Sequence, residues 1–185
     1  MKIFLVGEGP TDIGDLASSP PYRGEREGFL QPLIRTMVGG VCEFDGQKIT
    51  LLAKTRVKGA KSGFKAKAVL AAQLAQAADA DLLVFSTDAD HHLDERRADV
   101  SSGLQSSLVP TAIAMPKEAI EAWAMADAGA CTLAGASQPP AHPERLWGRP
   151  HEPASNHPKM VLNRLLGGHA TREILEMIGS AARPS

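Results

Sequence analysis

The chain has 185 residues, 20 of them Lys or Arg and 21 Asp or Glu, for a formal net charge of −1. That length allows one domain with an appendage, at roughly 100–200 residues per domain, and it needs no disulfide or metal staple to fold. Near-neutrality excludes a histone-like polycation or an acidic tail, and 4% aromatic residues argue against a stacking platform for single-stranded bases.

Cys42 and Cys131 belong to no CxxC pair, so a disulfide framework and a thiolate zinc site are not expected. No apolar run approaches the roughly 18 residues of a membrane span. MKIFLVGEG has no signal-peptide pattern either. The expectation is a soluble, cytoplasmic protein with no membrane partner.

Residues 2–6 (KIFLV) form a short continuous apolar run, which predicts a strand buried on both faces. The following GEGPTD is turn chemistry, and residues 18–28 read as loop. Phe29, Leu33, Ile34, Met37 and Val38 recur at helical spacing until Gly39-Gly40. A second strand is predicted over residues 48–53 (KITLLA) and an Ala-rich helix over 64–78. Residues 82–85 give the clearest buried strand, followed by a polar helix over 94–108, a strand at 110–115 and a helix over 117–127 introduced by Pro116.

This alternation predicts an α/β, Rossmann-like fold with a central, mostly parallel four-stranded sheet flanked by helices. The character changes near residue 130. Prolines 139, 140, 143, 150, 153 and 158 mark an irregular arm, with short helices expected near 158–166 and 171–180. The expected organisation is a domain over 1–130, with the arm and helices of 131–185 packed on it.

In an open parallel sheet, ligands bind beyond the carboxyl ends of the strands. Glu8 follows the first predicted strand, with Asp12 soon after, and Asp88-Ala89-Asp90 follows the third. If these strands are neighbours, Glu8 and Asp88 face one crevice, about 4.8 Å being the spacing of adjacent strands. Carboxylates so placed suit Mg²⁺ or Mn²⁺, hard cations that take oxygen ligands. Read alone, each Asp is also an ordinary turn former or helix N-cap.

Glu118 and Glu121 stand three residues apart in PKEAIEAWAMAD. Glu118 fits a first-turn acid complementing a helix dipole, which leaves Glu121 as the better crevice candidate. Lys54, Arg56, Lys58, Lys61, Lys65 and Lys67 fall in one acid-free segment. That segment reads either as a phosphate-contacting strip or as a solvated flank. His91 and His92 follow the Asp pair, as metal-site or proton-transfer candidates or as polar loop.

VGEGPTD, DAD and the Pro116–Trp123 segment, in this order, resemble the Toprim family, the metal-binding α/β domain of topoisomerases, primases and OLD-type nucleases. The likeness is greatest to small stand-alone bacterial Toprim-like proteins, often encoded beside ATPases, and it spans roughly residues 1–127. It implies Glu8 as metal ligand or general acid/base, Asp88 and Asp90 as metal-binding aspartates, and Glu121 as an accessory acid. It further implies phosphodiester cleavage of nucleic acid, an ATPase protein partner and a role in bacterial defence. His91-His92 stands where the family pattern has a third acid.

Two other phosphoryl-transfer families fit less well. Asp90-His91-His92 spells the DHH phosphoesterase signature, but no histidine precedes His91. Haloacid-dehalogenase phosphatases carry their DxD after the first strand, where this chain has one glutamate. Strand passage would need a nucleophilic tyrosine, and the single tyrosine, Tyr22, sits in a Pro-rich loop. A non-catalytic Toprim-like module that binds metal, nucleic acid or protein is the remaining alternative.

Overall fold

The run KIFLVG forms strand β1 (Lys2–Gly7), whose side chains enter two separate cores. Ile3 and Leu5 face one, Phe4 and Val6 the other, so the strand has to be apolar throughout. The computed structural model describes residues 1–52 and 63–183. A single helical turn, α1 (Pro10–Ile13), follows β1, then α2 (Leu30–Val38), β2 (Glu43–Lys48), the turn α3 (Ile49–Leu52) and α4 (Phe64–Ala77). Next come β3 (Leu82–Ser86), α5 (Leu93–Leu104), β4 (Thr111–Ala114), the turn α6 (Glu121–Ala124) and α7 (Ala128–Leu133). Helices α8 (Pro158–Leu165) and α9 (Arg172–Ala181) close the chain.

All strand pairs are parallel and the sheet order is β2-β1-β3-β4, flanked by helices in a Rossmann-like α/β arrangement. The chain leaves β1 for β2 on one side, then returns to β3 on the other. The carboxyl ends of β1 and β3 therefore form the switch point at which such sheets bind ligands.

Two predicted elements are corrected. The second strand is EFDGQK rather than KITLLA, pairing along β1 from Lys2↔Glu43 to Gly7↔Lys48. As an edge strand it is held by backbone hydrogen bonds and can remain polar. Ile49 and Leu52 instead enter the core from the turn α3. The helix expected over 117–127 shrinks to α6. Beyond β4 the chain keeps pairing with the β3 loop, Thr87 N–H donating to Ala114 O and Ala89 N–H to Pro116 O. That extended path delays the helix.

Residues after 130 help to make one of the two cores. Leu162, Leu175 and Ile178 pack in the cluster that holds Ile3, Leu5, Ile13 and Leu30. Helix α9 crosses close to α2, where a Cβ on Gly179 would stand 2.4 Å from Phe29 O. No helix among the described residues is long and apolar enough to cross a membrane.

Because the C-terminal helices share a core with β1, Ile178→Ala is expected to lower stability by about 2–5 kcal/mol. Urea denaturation should remain a single transition, shifted to lower midpoint. An early separate transition, with the sheet left intact, would show the C-terminal part to be an independent unit.

Candidate functional site

Parallel pairing of β1 with β3, from Ile3↔Leu82 to Val6↔Phe85, carries the residue after each strand to one place. Glu8 Oε1 accepts from Thr87 Oγ1 at 2.7 Å and from the Asp88 N–H at 3.0 Å. Asp12 Oδ2 in turn accepts the Glu8 N–H at 2.8 Å. Turn α1 folds this tightly over the strand end because Gly7 has no side chain; a Cβ there would lie 2.4 Å from Ile13 Cγ2. Glu8, Asp12 and Asp88 meet Glu118 and Glu121 around a cavity of about 290 Å³.

These carboxylates are poorly compensated. Burial, followed by the charges of Glu8, Asp12, Glu121 and Asp90, pushes Asp88 up to about 9. Burial is also the largest cause for Asp12, pushed up to about 7, and it raises Glu118 and Glu121. Lys159 is the one Lys or Arg among the described residues lining the cavity. Glu118 is only 4% exposed, and its Oε1 has no hydrogen-bond partner among the described residues. His91 Nδ1 lies 2.8 Å from that oxygen but outside hydrogen-bonding alignment, a contact that becomes an ion pair only when the imidazole is protonated.

The DADHH segment turns sharply. Asp90 (φ +44°) and His91 (φ +67°) are consecutive left-handed residues, each costing on the order of 1–3 kcal/mol in a non-glycine. Arg96 holds the turn, donating from Nη1 to Asp88 O and, at 2.8 Å, to Asp90 Oδ2. Its guanidinium lies 4.4 Å from the ring centroid of Phe64, the first residue of α4. Asp90 thus sits at the rim of the cavity with its side chain 64% exposed and already paired.

The proline-rich arm supplies the opposite wall. Pro150, His157 and Lys159 line the cavity, and Trp147 approaches His91 edge-on with ring centroids 6.5 Å apart. His157 is the N-cap of α8, its Nδ1 accepting the Lys159 N–H at 3.2 Å. Desolvation, then the Lys159 charge, lowers the His157 pKa, so the ring is neutral near pH 7 with its proton on Nε2.

Glu8, Asp88, Asp90 and Glu121, each expected from the sequence, all line this one cavity. Lys65 is exposed in the first turn of α4, while Lys54, Arg56, Lys58 and Lys61 lie outside the described residues. Asp12, Glu118, His157 and Lys159 join the site without having been assigned to it. Asp12 carried a signal, its place in the same GEGPTD turn. Glu118 read equally as a dipole acid, and nothing local marks His157 or Lys159 in a proline-rich stretch.

The carboxylate chemistry fits a hard divalent cation: Glu8, Asp12, Asp88, Asp90, Glu118 and Glu121 supply oxygens to one cavity, and the charge of Asp88 is opposed by its neighbours. As arranged, no three His, Cys, Asp or Glu side chains among the described residues stand close enough together to hold one ion. The Glu8 oxygen bonded to the β3 loop and the Asp90 oxygen bonded to Arg96 account for part of that spread. Comparison with known family models, curated proteins and solved structures gave no match.

Asp88 sets a pH dependence in metal-free protein. The folded state keeps its proton up to about pH 9, whereas an unfolded aspartate releases it near 3.8. Between those values the native state binds more protons, so stability falls as pH rises through the window. Asp88→Asn is expected to stabilise the chelator-treated protein at pH 8 by about 1–2 kcal/mol. It should also flatten the loss between pH 5 and 8 measured by urea denaturation. An unchanged slope would mean that Asp88 ionises freely.

Proposed function

We propose that this chain is a divalent-cation-dependent phosphodiesterase acting on nucleic acid, with Glu8, Asp88 and Asp90 holding Mg²⁺ or Mn²⁺. The observation that carries the reading is the crowded carboxylate set at the adjacent carboxyl ends of β1 and β3, with Asp88 pushed up to about 9. Such an ion, when bound, neutralises a phosphate and lowers the pKa of an attached water from about 15.7 toward 7. The strand-end positions of GEGPTD and DAD, and the meeting of both with Glu121, support a Toprim-like reading. An ATPase partner and a defence role follow from that resemblance alone.

The chain's own residues have separable tasks. Thr87 Oγ1 and the Asp88 N–H fix one oxygen of Glu8 and leave Oε2 for other partners. Asp12 anchors the Glu8 backbone. Glu121, 8% exposed and raised by burial, is the accessory acid. Lys159 supplies positive charge on the facing wall, where an anionic substrate needs it. The stacking of Arg96 on Phe64 keeps the start of α4, with Lys65, beside the DADHH turn. A phosphate contact from Lys65 would then fall at the rim of the crevice.

A non-catalytic binding module is the second reading, favoured by the ion pair that occupies Asp90 and the hydrogen bonds that occupy one Glu8 oxygen. The two separate in one assay. The purified chain with Mg²⁺ or Mn²⁺ is expected to cleave DNA or RNA. Glu8→Ala and Asp88→Ala should each reduce the rate by about 10³-fold, equivalent to roughly 4 kcal/mol of barrier. Metal binding without cleavage of single- or double-stranded DNA or RNA would favour the module and overturn the enzyme.

A further inference from the structure

A second cavity, also about 290 Å³, opens beyond the carboxylates. It shares Thr11, Glu121 and Lys159 with the first, so the two make one continuous cleft. At Lys159 the chemistry changes. One side is a bed of carboxylates; the other is lined by Met160, Ala170 and Leu175, with the Asn163 amide as its uncharged polar group besides the shared Thr11 hydroxyl. We infer that this cleft binds a single nucleotide unit of its substrate, phosphate at the Glu121–Lys159 junction and nucleoside in the second cavity. The inference rests on the phosphodiester reading for the identity of the phosphate.

Four observations carry it. The cavity is near the lower end of the roughly 300–1,000 Å³ typical of small-molecule sites, sized for one ring system rather than a polymer. Leu175 in its lining is only 3% exposed and part of the core shared with β1, so on that side the cavity backs onto the interior of the fold. A nucleotide held there is therefore terminal or turned out of its stack. Asn163 is oriented: its Oδ1 accepts the Ala170 N–H at 3.3 Å, which leaves the amide NH₂ as a donor for a base edge.

The fourth is His157. It is 7% exposed and lines the first cavity, and its Nδ1 is taken by the Lys159 N–H. Nε2 has no protein partner among the described residues, so the ring offers an N–H beside Lys159. Together the imidazole N–H and the Lys159 ammonium give the phosphate two donors in the cavity that holds the carboxylates. Ordered along the cleft, the groups are carboxylates, cationic junction, apolar pocket and one amide. A phosphate, a sugar and a base present the complementary sequence. The scarcity of aromatic residues has a counterpart here, since the Met160 thioether and aliphatic side chains would enclose the base in place of a stacking ring.

The full chain with Mg²⁺, carrying ¹³C-labelled methionine methyls, is titrated with nucleoside 5′-monophosphates, ribose 5-phosphate and inorganic phosphate. Nucleoside monophosphates are expected to shift the Met160 methyl signal, with both base-free phosphates leaving it in place. Ala170→Leu, which fills the pocket, should weaken nucleotide binding at least tenfold and leave Mn²⁺ and inorganic phosphate affinities unchanged.

A Met160 signal that stays silent in the wild type overturns the inference, and this measurement stands even if Ala170→Leu fails to fold. Equal binding of nucleotides to wild type and a folded Ala170→Leu overturns it too. Nucleotide binding that moves Met160, in a protein that cleaves no nucleic acid, keeps this site and removes the phosphodiesterase. Cleavage unaffected by Ala170→Leu, with a silent Met160, keeps the phosphodiesterase and removes this site.

Discussion

The parallel pairing of β1 with β3 is the constraint on which the crevice depends. Four register pairs bring Glu8 to the peptide of Asp88, and the Glu8 carboxylate then bonds the β3 loop at two points. Turn α1 can fold back only because Gly7 leaves room for Ile13, and that fold aims Asp12 at the Glu8 amide. Beyond the sheet, Thr87 and Ala89 continue to pair with the chain after β4, which draws Glu118 and Glu121 to the same opening. The acidic cavity is thus a consequence of strand order.

Burying so many like charges opposes folding. Each raised carboxylate pKa records a charged form less favourable in the native state than in water. The cores on both faces of the sheet offset that cost, including the one completed by α8 and α9. The same C-terminal residues return to the site: α8 starts at its edge, capped by His157 and carrying Lys159. Stability and the facing wall of the cleft are consequently coupled through one segment. A net charge of −1 conceals this arrangement, with carboxylates at the strand ends opposed by single cations at the rim and on α8.

Much of the sheet was legible because β1 and β3 are buried on both faces and must be apolar. Strand β2 was not, since EFDGQK owes its conformation to pairing with β1 rather than to its own pattern, while the more strand-like KITLLA yields Ile49 and Leu52 to the core as a turn. The carboxylates Glu8, Asp88, Asp90 and Glu121 could be found by asking which acids follow strands. That rule misjudged the condition of Asp90, which the left-handed turn directs outward onto Arg96. Glu118 was hidden by an equally good explanation as a dipole acid, and it is buried because the expected helix starts late. His157 and Lys159 lie far along the chain in a stretch of six prolines, and only the packing of α8 brings them to the cavity.

The central claim is that these carboxylates hold a divalent cation, and a crystal of the full chain soaked in Mn²⁺ tests it most directly by anomalous scattering. The expected result is a peak within metal–carboxylate distance, about 2.1 Å, of Glu8 and Asp88 oxygens. Asp90 should then be released from Arg96 or Glu8 rotated from the β3 loop. A crevice that shows no anomalous peak at saturating Mn²⁺, or a peak only elsewhere on the molecule, would contradict the claim.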